Sequence, residues 1–282
     1  MLLIAALIAL AGRLHPVGDS VAAFALHLGA GAVLLYALCW LAGAVTAERL
    51  TGLAAVLLLA PVLWSAMTGA GDPGARGVTL YQHNVLWSNP TPDAVVDQLR
   101  GSDADIVVLQ EVMRPAARLR QDLAALYPHI TECGRPGLDR NAVLSRFAIL
   151  AQECGMDWTR ATLDTPLGPV HVVSVHLKWP WPHGQRDSVA RVVAGLPQDG
   201  LPVILAGDMN AAPWSAAVGM LAEASGTRRA RGVRLTFSDP RFRPGLPIDH
   251  VLVPEGWGAR ATMLGAAGAD HRATLARIGP GD

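Results

Sequence analysis

The sequence predicts an α/β protein built as a four-layer sandwich, with two packed mixed sheets flanked by helices, preceded by N-terminal transmembrane helices. Two observations lead to this prediction. Residues 1–71 hold only four charged side chains, although the whole chain has 23 basic and 23 acidic residues. After residue 77, short apolar runs of strand length alternate with amphipathic stretches of helix length, which is typical of sheets covered by helices.

Residues 1–71 are predicted to be a membrane region. Residues 20–47 and 50–71 contain no Asp, Glu, Lys or Arg, and each run exceeds the about 20 apolar residues that a spanning helix needs. Residues 46–51 would form a tight connection between two such helices. The first apolar segment, residues 2–12, is short for a span, so we expect two or three transmembrane helices. A cleaved signal peptide is disfavoured, because no Lys or Arg precedes this segment.

A linker at residues 72–77 leads into a domain predicted over residues 78–278. Strands are predicted where short apolar runs recur, at residues 78–84, 105–110, 142–145, 157–163, 170–176, 202–206, 248–253 and 273–278. Helices are predicted between them, at residues 92–100, 114–126, 186–196 and 214–224. Polar side chains follow several of these strands, which is where functional sites collect in layered α/β folds.

Composition excludes two classes of protein. With 51% hydrophobic and 16% charged residues, the chain is not a disordered polypeptide. The net charge is zero, which argues against a protein that holds DNA or RNA mainly through a broad basic surface. A local cluster of arginines could still bind phosphate.

Seven short polar motifs occur in a fixed order between residues 84 and 272. Each is common by itself, but the ordered combination is specific. They are Asn84, Gln110-Glu111, Asn141 in NAVLSR, His176 in SVHL, Asp208 and Asn210 in GDMN, Asp249 in IDHV, and Asp270-His271 in DHR. A carboxylate directly after an apolar run, such as Glu111, is costly to bury unless it is paired or binds a cation.

This combination resembles the endonuclease/exonuclease/phosphatase superfamily, which includes DNase I-like nucleases, abasic-site endonucleases, sphingomyelinases and inositol-polyphosphate phosphatases. The resemblance covers essentially all of residues 78–278, and the segments before it look like the membrane-anchored bacterial branch of the family. It implies a divalent-metal-dependent phosphoesterase, in which activated water attacks a phosphodiester of nucleic acid or phospholipid. Two alternatives stay open: a phosphomonoesterase acting on inositol- or lipid-type phosphates, and a non-catalytic membrane-tethered binding module.

The resemblance also implies roles for individual residues. Glu111 would be the principal Mg²⁺ ligand, with Asn84 and Asp270 helping at the same site, and Mn²⁺ could take the place of Mg²⁺. His271 would be the catalytic histidine, and Asp249 would fix its tautomer and favour its charged form.

The remaining implied roles concern water and phosphate. Asp208 would orient or deprotonate the attacking water, and Asn210 would donate a hydrogen bond to a phosphate oxygen. His176 would contact the phosphate or the leaving oxygen. Arg140 and Asn141 would either face the phosphate or order their loop. Whether Asp208 or the catalytic histidine is the base stays open.

Two further features bear on substrate. Residues 178–183 follow a predicted strand directly, so Trp179 and Trp181 are placed at the rim of the cleft, where they would stack on a base, touch lipid or pack the loop. Six arginines between residues 228 and 243 would bind an anion or form a solvated loop. Neither feature decides between nucleic acid and phospholipid.

The membrane region implies an integral protein of a bacterial-type inner or plasma membrane. Each connecting loop offers only one arginine, Arg13 or Arg49, for positive-inside reasoning. With three spans and the N-terminus inside, the domain is extracytoplasmic, which we expect; with two spans it lies on the side of the N-terminus. Cys133 and Cys154 would form a disulfide outside the cytoplasm or remain two buried thiols.

Overall fold

The computed structural model describes residues 1–112, 121–133, 141–239 and 242–281, without the side chains at 132, 133, 239 and 242–244. The helices in these ranges are α1 (Leu2–Leu10), α2 (Val17–Ala22), α3 (Ala25–Leu41), α4 (Val45–Met67), α5 (Pro92–Ser102), α6 (Gln185–Ala194) and α7 (Ala216–Ser225). The strands are β1 (Val78–Asn84), β2 (Ile106–Gln110), β3 (His129–Cys133), β4 (Asn141–Ser145), β5 (Ile149–Cys154), β6 (Trp158–Thr165), β7 (Gly168–His176), β8 (Val203–Asp208), β9 (Thr227–Arg229), β10 (Phe237–Asp239), β11 (Phe242–Leu246), β12 (Asp249–Pro254), β13 (Trp257–Met263) and β14 (Thr274–Pro280).

Two six-stranded sheets form the domain that begins at β1. The strand order is β13-β14-β1-β2-β4-β3 in the first sheet and β5-β6-β7-β8-β12-β9 in the second. Both sheets are mixed, because β1 runs parallel to β2 and β7 runs parallel to β8, while β14 and β12 are antiparallel to their partners. A separate hairpin pairs β10 with β11.

The sheets pack face to face over one apolar core. Leu80 and Ile106 from the first sheet meet Val172 and Ile204 from the second. On the outer faces, α5 packs against the first sheet, and α6 and α7 pack against the second. The order helix, sheet, sheet, helix confirms the predicted four-layer α/β sandwich.

Four of the strands that the sequence did not predict are the outer strands of the two sheets, namely β3, β5, β9 and β13. The separate β10–β11 hairpin was not predicted either. An outer strand pairs on one side only, so it needs no continuous apolar run, and β5 is exposed along nearly its whole length. The helix predicted over residues 114–126 lies largely outside the described residues.

In the N-terminal region, α3 and α4 form a helical hairpin, with Ala25 near Leu58 and Ala32 near Ala54. The connection predicted at residues 46–51 is wrong, because those residues lie inside α4. The turn is at residues 42–44, where Gly43 has the left-handed φ of +66° that ends many helices.

The helix α4 has 23 residues and a mean hydropathy of 2.0, and among the described residues it alone is long and apolar enough to cross a membrane by length and composition. The helix α3 has 17 residues and α1 has nine. A total of two or three spans therefore stays a prediction.

The N-terminal region packs directly against the domain. The Asp19 carboxylate accepts hydrogen bonds from the backbone N–H groups of Ala216 (2.7 Å) and Ala217 (3.1 Å) at the start of α7. A carboxylate is favourable there, because helix N-termini present unpaired N–H groups and positive potential. The indole Nε1 of Trp214 donates to the carbonyl oxygen of Ala22 at 2.7 Å. The N-terminal region is thus a packing partner of the domain.

Gly207 lies where the backbones of β7 and β8 approach each other closely. Its φ is +151°, and a Cβ there would overlap the carbonyl oxygen of Val175 in β7. We expect Gly207→Ala to lower the free energy of unfolding by about 2 kcal/mol or more, since backbone atoms would have to move. Chemical denaturation of the full chain in detergent micelles measures this.

The matched control is Gly101→Ala in α5, where an added Cβ would meet no atom within 4 Å. This substitution should leave stability unchanged or raise it by about 0.5–1 kcal/mol, because alanine favours helix. Equal effects of the two substitutions would contradict the close approach of the strands.

Candidate active site

Most of the predicted site residues lie at one edge of the two sheets. Asn84 ends β1 and Glu111 follows β2, and since these strands are parallel, both residues reach the same edge. In the second sheet His176 pairs in register with Asp208 at the ends of β7 and β8, and Asp208 pairs with Asp249 at the start of β12. Strand pairing therefore gathers residues that are far apart in sequence.

His271 is held by a buried carboxylate. Its Nδ1 lies 2.7 Å from Oδ2 of Asp249. The other oxygen, Oδ1, accepts a hydrogen bond from Gln82 Nε2 at 2.8 Å, and the backbone N–H of Asp249 donates to Thr236 Oγ1 at 3.2 Å. The ring of Phe237 packs edge-on against the imidazole, with 5.0 Å between centroids. These contacts fix the orientation of the imidazole.

Asp208 is the centre of the site. Its Oδ2 lies 3.5 Å from His271 Nε2 and 3.6 Å from His176 Nε2. The same oxygen accepts a hydrogen bond from Asn84 Nδ2 at 3.1 Å, and Oδ1 accepts one from the backbone N–H of Asn210 at 2.9 Å. One buried carboxylate thus contacts groups from both sheets.

The charges of these three groups depend on one another. Burial by itself lowers the pKa of His271, but the carboxylates of Asp249 and Asp208 outweigh burial and raise it to about 10. Burial raises the pKa of Asp208 to about 6, and the positive charge of His271 limits that rise. Burial opposes ionisation of Asp249 as well, but the imidazolium and its hydrogen bonds keep the pKa of Asp249 below its usual value. At neutral pH the site therefore contains an imidazolium between two carboxylates.

Glu111 and Asp270 fit the requirements of a divalent cation site. Oε1 of Glu111 accepts a hydrogen bond from Asn84 Nδ2 (2.9 Å) and Oε2 accepts one from the Trp87 N–H (3.1 Å). Oδ1 of Asp270 is buried and has no hydrogen-bond partner among the described residues. Burial, more than the negative charge of Glu111, raises the pKa of Asp270. Oxygen donors of this kind suit Mg²⁺.

A second group of candidate ligand atoms is less suitable. Asp208, Asp249 and His271 bring one ligand-type atom each within 4.8 Å of one another. However, His271 already bonds to Asp249, and its positive charge would repel a cation. We therefore place the candidate cation site at Glu111 and Asp270.

Two of the three remaining predicted residues, Asn210 and Asn141, are buried beside the cleft. Asn210 Nδ2 donates to the carbonyl oxygen of Leu177 at 2.7 Å, so one of its two amide hydrogens is in use. Asn141 is buried, and its Oδ1 has no hydrogen-bond partner among the described residues. Arg140 lies outside the described residues.

The cleft has a volume of about 550 Å³, which is in the range of small-ligand sites. Seven of the predicted site residues line it: Glu111, Asn141, His176, Asp208, Asn210, Asp270 and His271. Asn84 hydrogen-bonds to Glu111 and Asp208, and Asp249 hydrogen-bonds to His271. The structure brings these residues together, while their chemical roles stay predictions.

A series of buried polar side chains behind the site was not anticipated from the sequence. Gln82 donates to Gln110 Oε1 (3.0 Å) as well as to Asp249, Gln110 donates to Ser174 Oγ (3.0 Å), and Ser174 donates to the carbonyl oxygen of Leu109 (3.1 Å). The available signal was the presence of polar residues inside otherwise apolar strands, since buried polar groups need partners.

The model of the endonuclease/exonuclease/phosphatase family matches residues 81–271, which confirms the resemblance expected from the motifs. Solved structures of similar fold include an endonuclease/exonuclease/phosphatase from Bacteroides vulgatus, at 18% identity over 73% of this chain and 99% of that chain, with a TM-score of 0.60. Truncated Caenorhabditis elegans TDP2 is 18% identical over 72% of this chain and 97% of that chain, with a TM-score of 0.54. Sphingomyelinase C from Streptomyces griseocarneus is 18% identical over 72% of this chain and 99% of that chain, with a TM-score of 0.53. No curated protein matches the chain.

The charge of Asp249 predicts the behaviour of His271. In Asp249→Asn the imidazolium loses its nearest carboxylate while burial and the carboxylate of Asp208 remain, so its pKa should fall below the wild-type value of about 10. NMR titration of the histidine ring resonances measures this. Asp199→Asn is the matched control, because Asp199 contacts a different histidine, His171, at 3.0 Å. A pKa of His271 that is equal in the two variants would contradict the pairing.

Buried His250 predicts a loss of stability in acid. Its Nε2 lies 2.7 Å from the carbonyl oxygen of Ala211, and burial lowers its pKa to about 3. The unfolded chain takes up a proton below about pH 6.5 and the folded chain does not, so stability falls as the pH drops from about 6.5 towards 3.

His250→Gln keeps a donor for Ala211 and removes this titration. Between about pH 6.5 and about pH 5, the wild type should lose about 1.5 kcal/mol more of its free energy of unfolding than the variant does. Denaturant unfolding at the two pH values tests this, and equal losses in the two proteins would refute it.

Proposed function

This chain belongs to the endonuclease/exonuclease/phosphatase family and is thus a hydrolase of phosphoester bonds, and we propose that it is a membrane-anchored, divalent-metal-dependent phosphodiesterase. One observation carries the proposal most directly. The imidazolium of His271, fixed by Asp249, and the Asp208 carboxylate face each other across 3.5 Å in the cleft. An acid and a base in contact with one small cleft are what the hydrolysis of a phosphodiester by water requires.

In the proposed reaction the oxygen of water bonds to phosphorus, and the bond between phosphorus and the leaving alcohol oxygen breaks. Asp208, with a pKa of about 6, is ionised at neutral pH and accepts the proton of the water. The carboxylates of Asp249 and Asp208 raise the pKa of His271, so at neutral pH its imidazolium serves as the acid that faces the phosphate. The alcohol oxygen takes up a proton from the His271 imidazolium, and Asp208 passes the proton of the water to His271 across 3.5 Å. A phosphomonoester and an alcohol are released.

His176 and Asn210 line the cleft next to Asp208 and would donate to the phosphate oxygens. Glu111 and Asp270, with Asn84 beside them, would hold Mg²⁺ or Mn²⁺, and Asn84 also donates a 2.9 Å hydrogen bond to Glu111. The cation, when bound, supplies positive charge that neutralises the phosphate.

We further propose that residues 1–71 anchor the protein in a bacterial-type inner or plasma membrane, with the domain at residues 78–278 outside the cytoplasm. Large apolar side chains on α3 and α4 are exposed, including Leu38, Trp40 and Val56, and lipid accommodates such surfaces while water does not. Cys154 is disulfide-bonded, as expected on an oxidising side of the membrane. Cys39 is a free thiol. The side chain of Cys133 is not among those that the structure describes.

Hydrolysis of bis-p-nitrophenyl phosphate by the full chain in detergent micelles tests the proposal. With Mg²⁺ or Mn²⁺ we expect activity that EDTA abolishes. Glu111→Ala, Asp208→Ala and His271→Ala should each lower kcat by about 100-fold or more, since each removes a charge from the reacting centre. Asp199→Ala, at a surface ion pair, should retain full activity.

Three results would contradict the proposal. Activity that persists in EDTA would exclude the metal, and unchanged activity of the His271→Ala variant would exclude the assigned site. Faster hydrolysis of p-nitrophenyl phosphate than of the diester would favour a phosphomonoesterase. A panel of single-stranded DNA, duplex DNA, RNA, sphingomyelin and phosphoinositides then identifies the substrate class, and binding without hydrolysis of any member would indicate a binding module.

A further inference from the structure

Exposed large apolar side chains of the domain gather around the mouth of the cleft. Among the described residues after residue 77, five such side chains are exposed: Trp87, Leu150, Met156, Trp179 and Trp181. Met156 and Trp179 line the cleft, Trp181 is two residues further on, and the backbone N–H of Trp87 donates to the cleft residue Glu111. We call Trp87, Met156, Trp179 and Trp181 the rim cluster. Leu150 lies near the start of β5, at the end of the second sheet opposite to His176.

The N-terminal region contacts the domain next to the rim cluster. Ser20 Oγ donates to the carbonyl oxygen of Trp181 at 3.1 Å, and the Arg186 guanidinium donates to the carbonyl oxygens of Gly12 and Arg13. Both contacts fall on the segment that follows β7, and the contacts of Trp214 and Ala216 with Ala22 and Asp19 fall on the segment that follows β8. These two strands carry His176 and Asp208. The proposed anchor and the rim cluster therefore share the catalytic edge of the second sheet.

The composition of the rim cluster suits the surface of a bilayer. Tryptophan is enriched at membrane–water interfaces, because its ring is apolar and its N–H needs a polar partner. Lys178, the single lysine of the chain, lines the cleft beside Trp179, and a basic side chain at this position attracts anionic headgroups.

Two ligands could use exposed tryptophans next to a phosphoesterase site: a lipid surface and a single-stranded nucleic acid. Nucleic-acid strands bind to grooves that combine aromatic side chains with high positive charge, whereas this chain has a net charge of zero. A lipid surface needs no such charge excess, and the contacts of residues 12–22 with the segments after β7 and β8 bring the proposed anchor to the same place.

We propose that the rim cluster rests in the headgroup layer of the membrane that the anchor spans, and that the substrate is a phosphodiester of a lipid in that membrane. This inference rests on the proposed function and adds its substrate class. The lipid enters the cleft from the plane of the bilayer. Water adds to its phosphorus, the bond from phosphorus to one of the two alcohol oxygens breaks, and that oxygen takes up the proton that the water gives up.

The first test locates the rim cluster by spectroscopy. In a Cys39→Ser background, Trp181→Cys is labelled with an environment-sensitive dye, and the full chain is reconstituted into vesicles of phosphatidylcholine and phosphatidylglycerol. We expect a blue-shifted emission that brominated lipid quenches. Leu150→Cys is the matched control, because the two side chains are similarly exposed, at 54% for Trp181 and 56% for Leu150. An aqueous emission spectrum at position 181 would overturn the inference.

The second test compares two substrates in the same vesicles. The rate on vesicle phospholipid is divided by the rate on bis-p-nitrophenyl phosphate. This ratio should fall about tenfold in Trp181→Ser and stay unchanged in Leu150→Ser. An unchanged ratio in Trp181→Ser would overturn the inference.

The outcomes also separate the two proposals. Hydrolysis of the soluble diester without hydrolysis of any vesicle lipid, tested with phosphatidylcholine, phosphatidylglycerol, sphingomyelin and phosphoinositide, would overturn the lipid inference and leave the proposed function intact. A loss in Trp181→Ser that is specific to single-stranded DNA would also overturn it. No hydrolysis of the soluble diester would refute the proposed function, whereas the dye spectra report on membrane contact regardless of activity.

Discussion

The buried pair of His271 and Asp249 joins the two sheets of the domain. Asp249 begins β12 in the second sheet, and His271 precedes β14 in the first. A buried ion pair recovers its desolvation cost only when geometry and further hydrogen bonds are good. Here Gln82 from the first sheet supplies one of those bonds to Asp249. The contacts that stabilise the charged forms of His271 and Asp249 therefore depend on the relative position of the two sheets.

Other polar contacts at the same edge follow this pattern. Asn84 of the first sheet donates to Asp208 of the second, and Gln110 of the first donates to Ser174 of the second. The described core between the sheets consists mainly of apolar side chains, and apolar packing by itself tolerates small shifts better than hydrogen bonds do. The polar bonds at the edge thus select the relative position of two sheets whose apolar faces hold them together.

The sequence predicted the inner strands and the residues at their ends, because both depend on local patterns. A strand buried on both faces is a continuous apolar run, and a charged or amide side chain at its end is visible as a break in that run. It could not predict which strands are neighbours or how the sheets pack. The position of Asp249 beside Asp208 follows from the pairing of β12 with β8, and the contact of His271 with Asp208 follows from the packing of the two sheets. The outer strands and the role of Gln82 were missed, because exposure removes the apolar pattern and a buried amide resembles a surface one in sequence. The turn at Gly43 was misplaced, because charged residues mark both loops and the first turns of helices.

The position of the N-terminal region bears on how the site meets its substrate. A flexible tether would let the domain face any direction, and the cleft would then select its substrate through the cleft contacts alone. Here Asp19 caps the helix α7 and Trp214 bonds to Ala22, so the region and the domain are held together at defined atoms. If the anchor spans a bilayer, these contacts also fix the direction of the cleft relative to it. A lipid then reaches the cleft by diffusion in two dimensions, whereas a soluble polymer has to approach between the domain and the headgroups. Substrate selection would in that case begin with the orientation of the domain, before any side chain of the cleft makes contact.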